Sequence, residues 1–329
     1  MKRKIRAMLE TPIICMALSL LLYFMLFGLV LDRPLSLGIL RLEMEQKAAR
    51  LATLPAPKLV ILAGSNGPYS HSCVVMGAML HMPCENAGIA VGIGLDDLFA
   101  RDAPFLHRGD VVYMPMELQQ YTTTQGELAT SVDGGMLFRH NWRLLGRLGP
   151  RRWLGAMFCC DLADGLESLA EMGVAATGVI NPAQMLEVEY NTQGDRVDNG
   201  GPPDAALLSG PARAVPAVGA ITHGYGTRLI RRFVVAMRAR GVVVIGGLPT
   251  DFNTVALPSP VLAAVRAVYR GGPFLLLPNE SRYPPADFFN SEDHLRRPYQ
   301  LAHSVLVARG LGALLGRAVL PDAATPQDP

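Results

Sequence analysis

A short turn at residues 64–67 carries the first side chain that could act as a nucleophile. Its sequence, Gly-Ser-Asn-Gly, follows the apolar run Lys58–Ala63, which is typical of a buried parallel strand. Ligands of open α/β sheets bind beyond the carboxyl ends of the strands, where Ser65 is expected. The flanking glycines permit a tight turn with free backbone N–H groups, so Ser65 could attack a carbonyl beside an oxyanion site. An ordinary strand-to-helix turn uses the same residue types, and that alternative stays open.

A histidine near the C-terminus offers the base that such a serine needs. His294 lies in the segment Phe288–Leu295, between the last predicted strand and the last predicted helix. This position is at the same edge of the predicted sheet as Ser65. A serine is activated by a base within hydrogen-bonding reach, and the base by an orienting acceptor. A lone histidine is usually a surface or capping residue, so the two segments indicate chemistry only when they are taken together.

The elements that must position these residues alternate along the chain. Short apolar runs bounded by turn residues predict strands, and the stretches between them predict helices. This alternation predicts a three-layer α/β fold, with a short, doubly wound parallel sheet that helices cover on both faces. The predicted strands are 58–63, 85–91, 110–116, 242–246 and 273–277, and the predicted helices are 35–54, 71–80, 95–106, 232–240, 260–270 and 298–315.

A long insertion, about 119–231, separates the third and fourth predicted strands. Its first half is predicted to be helical, over 137–148 and 154–172, and its second half, 181–216, is predicted to be loop because it is rich in Gly, Pro, Asn and Asp. Three aromatic residues in the insertion could stack on sugar rings, but buried packing is favoured for them. They are Tyr121, Trp142 and Trp153.

Four short blocks occur in an order that resembles the SGNH/GDSL hydrolase superfamily. They are Gly64-Ser65-Asn66, Asn86-Ala87-Gly88, Gly109-Asp110-Val111-Val112 leading to Glu117, and Phe289 to Leu295. The resemblance spans about 58–315 without the insertion. It is closest to the membrane-anchored bacterial members, which work in acylation of exported polysaccharides and cell-wall polymers. It therefore implies a short sheet of the flavodoxin-like type.

The resemblance also implies a role for individual residues. Ser65 would be the nucleophile and His294 the general base, and the N–H groups of Ser65 and Gly88 would form the oxyanion hole. A Ser65 acyl-enzyme would pass its acyl group to a sugar hydroxyl or to water. No cofactor and no metal site are expected. The residues expected to contact the substrate are Asn66, Asn86 and Glu117.

Two positions depart from the family pattern. Glu117 stands where the family usually offers an asparagine amide to the oxyanion, and Asn290 and Ser291 stand where it usually has an aspartate before the histidine. Asparagine can orient an imidazole but cannot stabilise its charge, and in a serine-protease triad the change from aspartate to asparagine costs about 10⁴ in turnover. Three alternatives stay open. A carboxylate, Asp287 or Asp293, replaces Asn290 in this role; Asn290 itself orients the His294 ring; or the activity is weak or lost.

The chain begins with a segment that could cross a membrane. Residues 12–31 include no charged residue, and twenty residues at 1.5 Å each span roughly 30 Å, the thickness of a bilayer's hydrocarbon core. Four basic residues precede this run, which predicts cytoplasmic residues 1–11 and an exported remainder. A cleaved signal peptide is the alternative, but the run is long for one and no typical cleavage site follows it. We predict an uncleaved anchor in a bacterial inner membrane, with the C-terminal domain in the periplasm.

Charge and cysteine content narrow the class of protein further. Beyond residue 31 the chain has 26 basic and 27 acidic residues, so this part has no electrostatic footprint for nucleic acid. The five cysteines do not indicate a disulfide-dense scaffold, although Cys73 and Cys84 could pair in an oxidising compartment. The remaining predicted domains are a stalk helix in 32–57, the α/β domain over 58–318 and a disordered tail over 319–329.

These observations favour an exported serine esterase or O-acyltransferase that acts on acyl groups, above all acetyl groups, of a polysaccharide. By family analogy, a multi-pass membrane O-acyltransferase that supplies acyl groups is the expected partner. The competing hypothesis is a catalytically impaired relative that binds glycan or scaffolds an export complex. Glu117 and the missing aspartate favour this second hypothesis.

Overall fold

Five short strands form one parallel sheet. The computed structural model describes residues 2–206 and 213–320, with side chains from Glu10 onward. The strands in chain order are β1 (Leu59–Ile61), β2 (Cys84–Asn86), β3 (Val111–Met114), β4 (Val243–Gly247), β5 (Asp251–Phe252), β6 (Phe274–Leu275) and β7 (Arg282–Tyr283). The main sheet has the order β2-β1-β3-β4-β6, and β5 and β7 pair separately. This is the strand order of a doubly wound sheet, whose switch point lies between β1 and β3.

The five strands predicted from the sequence are confirmed; four of them are shorter than predicted, and β4 has the predicted length but begins one residue later. All pairings in the main sheet are parallel, and Ile61 of β1 lies in register with Asn86 of β2 and Tyr113 of β3. Met114 of β3 lies in register with Gly246 of β4. The segments that follow β1, β2, β3 and β4 therefore leave the sheet at one edge.

Both faces of the sheet are buried. Leu59, Ile61 and Tyr113 pack in one core with helices Cys73–Leu80 and Arg297–Leu315. Val60, Val112 and Val244 alternate with these residues along the strands, so they point to the opposite face, and they too are buried. A disulfide between Cys73 and Cys84 links the first of these helices to β2.

Helices fill the connections between the strands. The α-helices are Lys2–Met25, Leu37–Thr53, Asn66–Ser70, Cys73–Leu80, Leu95–Asp102, Leu118–Thr122, Gln125–Ala129, Gly134–His140, Trp142–Leu145, Pro150–Met157, Leu162–Ala176, Pro182–Glu189, Val218–His223, Tyr225–Ala239, Ser259–Val268 and Arg297–Leu315. A π-helical turn covers Leu26–Val30, and 3₁₀ turns cover Ala103–Phe105 and Pro285–Asp287.

Two segments predicted as loops contain helix, and these predictions were wrong. Helix Asn66–Ser70 lies within the predicted loop 64–70, and helix Pro182–Glu189 lies within the predicted loop 181–216. Proline is tolerated in the first turn of a helix, where its missing N–H would have no partner, so Pro182 does not prevent the second helix.

The chain divides into two compact units. One contains the residues up to Arg41 together with Ala129–Pro182, and the other contains Leu42–Leu128 and the residues from Ala183 on. The sheet and the predicted site residues belong to the second unit. The first half of the predicted insertion belongs with the N-terminal helix in the first unit.

Among the described residues, one helix is long and apolar enough to cross a membrane. Its candidate span is Glu10–Val30; the most apolar 18-residue stretch of this span has a mean hydropathy of 2.6, and no residue of that stretch is buried. Its length suits a single membrane crossing. The predicted tail, 319–329, falls outside the described residues from 321 onward, and the basic side chains predicted for the cytoplasm also lie outside them.

Candidate active site

A buried carboxylate from the end of β3 holds the turn that follows β1. Glu117 Oε2 accepts the N–H of Gly64 at 2.9 Å, and its Oε1 accepts the N–H of Asn66 at 2.9 Å. The two oxygens thus bind the residues on either side of Ser65. A Cβ at position 64 would lie 2.6 Å from Glu117 Oε1, so glycine is required there. Burial and the negative charge of Asp293 raise the pKa of Glu117 to about 7, although the two N–H donors act in the opposite direction.

Ser65 is the one residue of this turn that keeps partial exposure. Gly64, Asn66 and Gly67 are buried around it. The Ser65 carbonyl accepts the N–H of Tyr69 at 3.2 Å, whereas its hydroxyl and its own N–H form no hydrogen bond with any described residue. These two groups are therefore open to a ligand.

Gly88, which follows β2, lies against the same turn. A Cβ at this position would be 2.7 Å from the Gly64 carbonyl oxygen and 2.9 Å from Pro68 Cδ, so the approach requires glycine. Gly88 is buried, and its N–H donates no hydrogen bond in the part of the chain that the structure describes. Buried N–H groups without a partner are rare in folded proteins. Two touching segments, at Ser65 and Gly88, thus each present an unused donor of the kind that binds an oxyanion.

The carbonyl side of Gly88 is held by a buried cation. Lys47 Nζ, on helix Leu37–Thr53, donates to the Gly88 carbonyl oxygen at 2.6 Å and pairs with Glu43 at 2.8 Å. The Lys47 side chain is only 4% exposed. A charge-assisted bond of this kind is stronger than a neutral one and fixes the position of the Gly88 segment.

The two asparagines predicted to contact substrate are buried and already bonded to the protein. Asn66 Nδ2 donates to the Pro115 carbonyl at 2.9 Å, and its Oδ1 accepts from the N–H and the hydroxyl of Thr250 at 3.1 and 2.8 Å. Asn86 Nδ2 donates to the Gly67 carbonyl at 2.9 Å. Both amides shape the turn and join the ends of neighbouring strands, as Glu117 does. Contact of these residues with a substrate stays a prediction.

His294 lies on a loop that an antiparallel bridge between Phe288 and Leu295 closes. Its Nδ1 is 2.7 Å from Asn290 Oδ1, and its ring stacks on Tyr69 with 3.8 Å between centroids. Its Nε2 is buried and has no hydrogen-bond partner among the described residues. A free Nε2 on an imidazole that is oriented through Nδ1 is the arrangement that a general base requires.

Asn290 is the predicted acceptor that meets Nδ1 of His294. Asp293 Oδ1 lies 3.8 Å from the other ring nitrogen, Nε2, and accepts the Ser291 hydroxyl. The Asp287 carboxyl interacts with Tyr299 instead, and burial raises its pKa. The acceptor that orients the His294 ring through Nδ1 is therefore an amide oxygen and not a carboxylate.

The surroundings of His294 keep its imidazole neutral. Burial lowers the pKa of His294 to about 4, and the positive charges of Arg196 and Arg213 act in the same direction. The neighbouring Asp293 opposes them but does not compensate. A neutral imidazole near pH 7 can accept a proton from a hydroxyl group.

Ser70 joins the histidine loop to the serine turn. Its hydroxyl donates to the Asp293 carbonyl at 2.8 Å and accepts the Leu295 N–H at 3.3 Å. The Thr250 hydroxyl, which contacts Asn66, also lies 3.0 Å from the Asp293 carbonyl oxygen. Tyr69, Ser70 and Thr250 were not predicted as site residues from the sequence. The position of Thr250 just after β4 is a signal that could have identified it, whereas Tyr69 and Ser70 lie on a helix in a segment that the sequence predicts as loop.

A buried pair of histidines lies behind the turn. His71 Nδ1 is 3.2 Å from the Asn66 carbonyl oxygen, His71 Nε2 is 3.3 Å from His303 Nε2, and His303 Nδ1 is 2.7 Å from the Tyr283 hydroxyl. Burial lowers the pKa of both histidines, that of His71 to about 4, so both rings are neutral. With neutral rings, the Tyr283 hydroxyl can donate to His303 Nδ1, His303 Nε2 to His71 Nε2, and His71 Nδ1 to the Asn66 carbonyl. All four groups then have a hydrogen-bond partner.

A cavity of about 290 Å³ opens beside Glu117 and Asp293. This is the size of a small-ligand site, for which roughly 300 Å³ is the lower bound. Its charged lining residues are four carboxylates and one exposed arginine, Arg213, which pairs with Glu292 at 3.4 Å. Other residues that line the cavity are Leu118, Gln119, Pro249, Thr250 and Asp251.

Comparison with known proteins adds no further assignment, since the chain matches no family model, no curated protein and no solved structure.

Proposed function

We propose that the chain is an exported serine esterase or O-acyltransferase of the SGNH type, acting on acetyl or related acyl groups of a polysaccharide. The observation that carries this proposal is a partly exposed serine, Ser65, packed beside Gly64 and Gly88, two positions that require glycine. The N–H groups of Ser65 and Gly88 are both unused. His294, neutral and with a free Nε2, is tied to the same edge of the sheet through Ser70. Each of these groups has a defined part in acyl transfer.

The reaction would proceed through an acyl-enzyme. Ser65 Oγ attacks the ester carbonyl while its proton passes to His294 Nε2, and the carbonyl oxygen becomes an oxyanion bound by the N–H groups of Ser65 and Gly88. The C–O bond to the leaving alcohol breaks, and His294 returns the proton to that alcohol. Water or a sugar hydroxyl then attacks the acyl-serine and gives its proton to His294; the ester bond to Ser65 breaks, and His294 returns the proton to Ser65 Oγ.

The membrane span supports an exported location for this activity. In this proposal the segment 12–31 is a single-pass anchor in a bacterial inner membrane, and the catalytic unit is in the periplasm. The polysaccharide supplies the acceptor hydroxyl, and a multi-pass membrane O-acyltransferase is the source of the acyl groups. Purification of the full chain in mild detergent should then recover such a partner, and its absence would count against this part of the proposal.

Intact-protein mass spectrometry tests the nucleophile directly. The full chain in detergent is incubated with p-nitrophenyl acetate, in parallel with Ser65→Ala and His294→Ala. We expect an acetyl adduct on the parent, none on Ser65→Ala, and a much slower one on His294→Ala. Equal acetylation or ester turnover in Ser65→Ala would exclude Ser65 as the nucleophile.

A non-catalytic function is the second candidate, because Asn290 occupies the place of the triad aspartate. The fold would then bind glycan or scaffold an export complex without turning over an ester. In that case the parent forms no acetyl adduct, and its glycan binding survives the double change Ser65→Ala/His294→Ala. Loss of glycan binding in this variant would argue against the scaffold function.

A further inference from the structure

The first unit exposes large apolar side chains. On helix Leu162–Ala176, Leu162, Leu166 and Leu169 are 79%, 60% and 58% exposed, and their spacing places them on one face of the helix. Other large apolar residues of this unit are also exposed, namely Trp142, Trp153, Leu154, Phe158 and Val179. Tyr121 is buried as expected from the sequence, but the expectation of buried packing for the two tryptophans was wrong. An exposed apolar patch of this size usually marks a surface that contacts another protein or a membrane.

The same segment is bound to the last turns of the candidate membrane span. The Tyr23 hydroxyl donates to the Cys160 carbonyl at 3.0 Å and accepts the Cys160 N–H at 3.1 Å. The Phe158 ring lies 5.9 Å from that of Tyr23 and 5.6 Å from that of Phe24. The turn around Phe158 and Cys160 is therefore fixed beside residues that belong to the span.

The contact with Tyr23 sets the depth of this turn. The span ends at Val30. Tyr23 precedes Val30 by seven residues, which corresponds to about 10 Å along a helix. If the span crosses a bilayer, Phe158 and Cys160 lie at the level of Tyr23 and so within the hydrocarbon region, below the plane in which the span ends.

Contacts further along helix Leu162–Ala176 follow the span outward. A Cβ at Gly165 would be 3.6 Å from the Phe27 ring and 3.8 Å from Leu31 Cδ1. One turn and a half later, Glu171 accepts the N–H of Leu35 at 2.9 Å, in the segment beyond the span. The helix thus rises from a deep end near Cys160 to a shallow end near Glu171.

The two faces of this helix differ in polarity. Asp164, Glu167 and Glu171 share the face opposite the exposed leucines, and Arg33 lies 3.5, 2.7 and 3.3 Å from their respective carboxylates. Arg139 donates to the Leu31 carbonyl at 2.7 Å, where the span ends. Arg33 and Arg139 thus lie where the span leaves the membrane, and the apolar face of the helix points away from the carboxylates that Arg33 binds.

We propose that residues 129–182 form a membrane-embedded platform, whose apolar face lies in the lipid of the leaflet where the span ends. The lipid bilayer is the occupant because the deep end of the platform is fixed at the depth of Tyr23. Trp142 and Trp153 lie at the interface, as aromatic residues of membrane proteins do. Exposed arginines around them reach the lipid phosphates; they are Arg143, Arg147 and Arg151.

Intrinsic fluorescence tests the platform, because its two tryptophans are the two that the whole chain contains. The full chain is reconstituted in phosphatidylcholine vesicles with or without brominated acyl chains. We expect brominated lipid to quench most of the emission, with the largest loss for bromines near the headgroup, and acrylamide to quench little. Strong acrylamide quenching without quenching by lipid would overturn the proposal. Protection from both quenchers would overturn it as well, since a protein partner or a second copy would then cover the face.

The depth gradient gives a second, independent test. In a Trp142→Phe/Trp153→Phe background, a single tryptophan replaces either Phe158 at the deep end or Ala176 at the shallow end, and both positions are exposed. Phe158→Trp should respond most to bromines deep in the chain and little to acrylamide, whereas Ala176→Trp should respond to acrylamide. An equal response of the two variants would show that the helix does not follow the span outward. Neither outcome depends on the chemistry proposed for Ser65.

Discussion

The serine turn, residues 64–67, and the histidine loop, residues 288–295, are held in place by different kinds of contact. In the serine turn, Gly64 and Asn66 donate to one buried carboxylate, and the space around them admits no additional carbon atom. In the histidine loop, His294 is oriented by one amide oxygen and one stacked ring. The proposed nucleophile and oxyanion donors are therefore built into the sheet edge, whereas the proposed base depends on a few replaceable contacts.

This difference matters because the two halves of the proposed catalytic site are expected to fail in different ways. A change in the serine turn disturbs a packed core, where overpacking and unsatisfied polar groups are costly. A change in the histidine loop alters the charge and orientation of one ring, which affects catalysis more than folding. Asn290 lies in the histidine loop, where a substitution is expected to disturb the folded structure least.

The largest effect is expected from Gly64→Ala. Its Cβ would meet the Glu117 carboxylate at 2.6 Å. Overpacking of a closed core typically costs about 3 kcal/mol at the upper end. We expect the free energy of unfolding to fall by that order, the midpoint of thermal unfolding to fall with it, and the acetyl-transfer activity to be lost. Scanning fluorimetry and the mass assay would measure the two effects.

Gly219→Ala is the matched control for this change. Gly219 belongs to helix Val218–His223 of the same unit, and no atom lies within 4 Å of the position that its Cβ would take. Alanine is favoured over glycine inside a helix by roughly 1 kcal/mol, so this variant should be at least as stable as the parent. Equal stability of the two variants would mean that the serine turn can rearrange to accept a Cβ at position 64. The serine turn would then be no more tightly packed than the histidine loop.

The next effect is a gain, from Asn290→Asp. A carboxylate at Nδ1 of His294 would stabilise the imidazolium that forms during acyl transfer, and kcat/KM should rise at least about tenfold, given the cost of about 10⁴ for the reverse change in a serine protease. The folded structure should be little affected, because the two side chains have the same shape. Asn253→Asp, at an exposed position, controls for the added charge alone.

The pH profile shows whether the gain acts through His294. Its pKa is lowered to about 4 by burial, and a general base works only when it is unprotonated, so the acid limb of kcat/KM in the parent should lie near that pH. A new negative charge beside the ring favours its protonated form, so Asn290→Asp should raise the pKa and move the acid limb upward. A gain in activity without this shift would mean that residue 290 does not act through the imidazole.

The sheet could be predicted from the sequence, because its strands are fully buried. Buried parallel strands appear in a sequence as short apolar runs. Residues 242–246 (VVVIG) show this pattern as clearly as residues 58–63 (KLVILA) do. The short helix Asn66–Ser70 could not be predicted in this way, since Gly67 and Pro68 argue against helix. Gly67 is present because a side chain there would meet Asn86 and Gly88 at about 3 Å, and that contact depends on the tertiary structure.

The candidate site was predictable to a similar extent. Ser65 and Gly88 follow β1 and β2, which end at one edge of the sheet, so sequence order was enough to group these two residues. His294 follows the separate strand pair β5 and β7, and its ring contacts Tyr69 on the helix after the serine turn. The catalytic roles of the three residues stay predictions. The role of Glu117 was not predictable, because the sequence suggested a poor donor to an oxyanion, whereas the structure uses its carboxylate as an acceptor for the turn. Lys47 was also missed, since a lysine on a predicted stalk helix is usually a solvent-exposed residue.

The smallest effect is expected at Lys47, and it tests how rigid the oxyanion side is. Lys47→Met alone would leave Glu43 buried without its cation, so the informative comparison is Glu43→Gln with and without Lys47→Met. Loss of the bond to the Gly88 carbonyl should lower kcat about threefold with little change in KM, because the N–H of Gly88 acts mainly on the transition state. A merely structural role for Lys47 would lower the midpoint of unfolding and leave kcat per folded molecule unchanged. If kcat falls as far as it does in His294→Ala, the oxyanion donors depend on a single contact, and the serine turn is no more robust than the histidine loop.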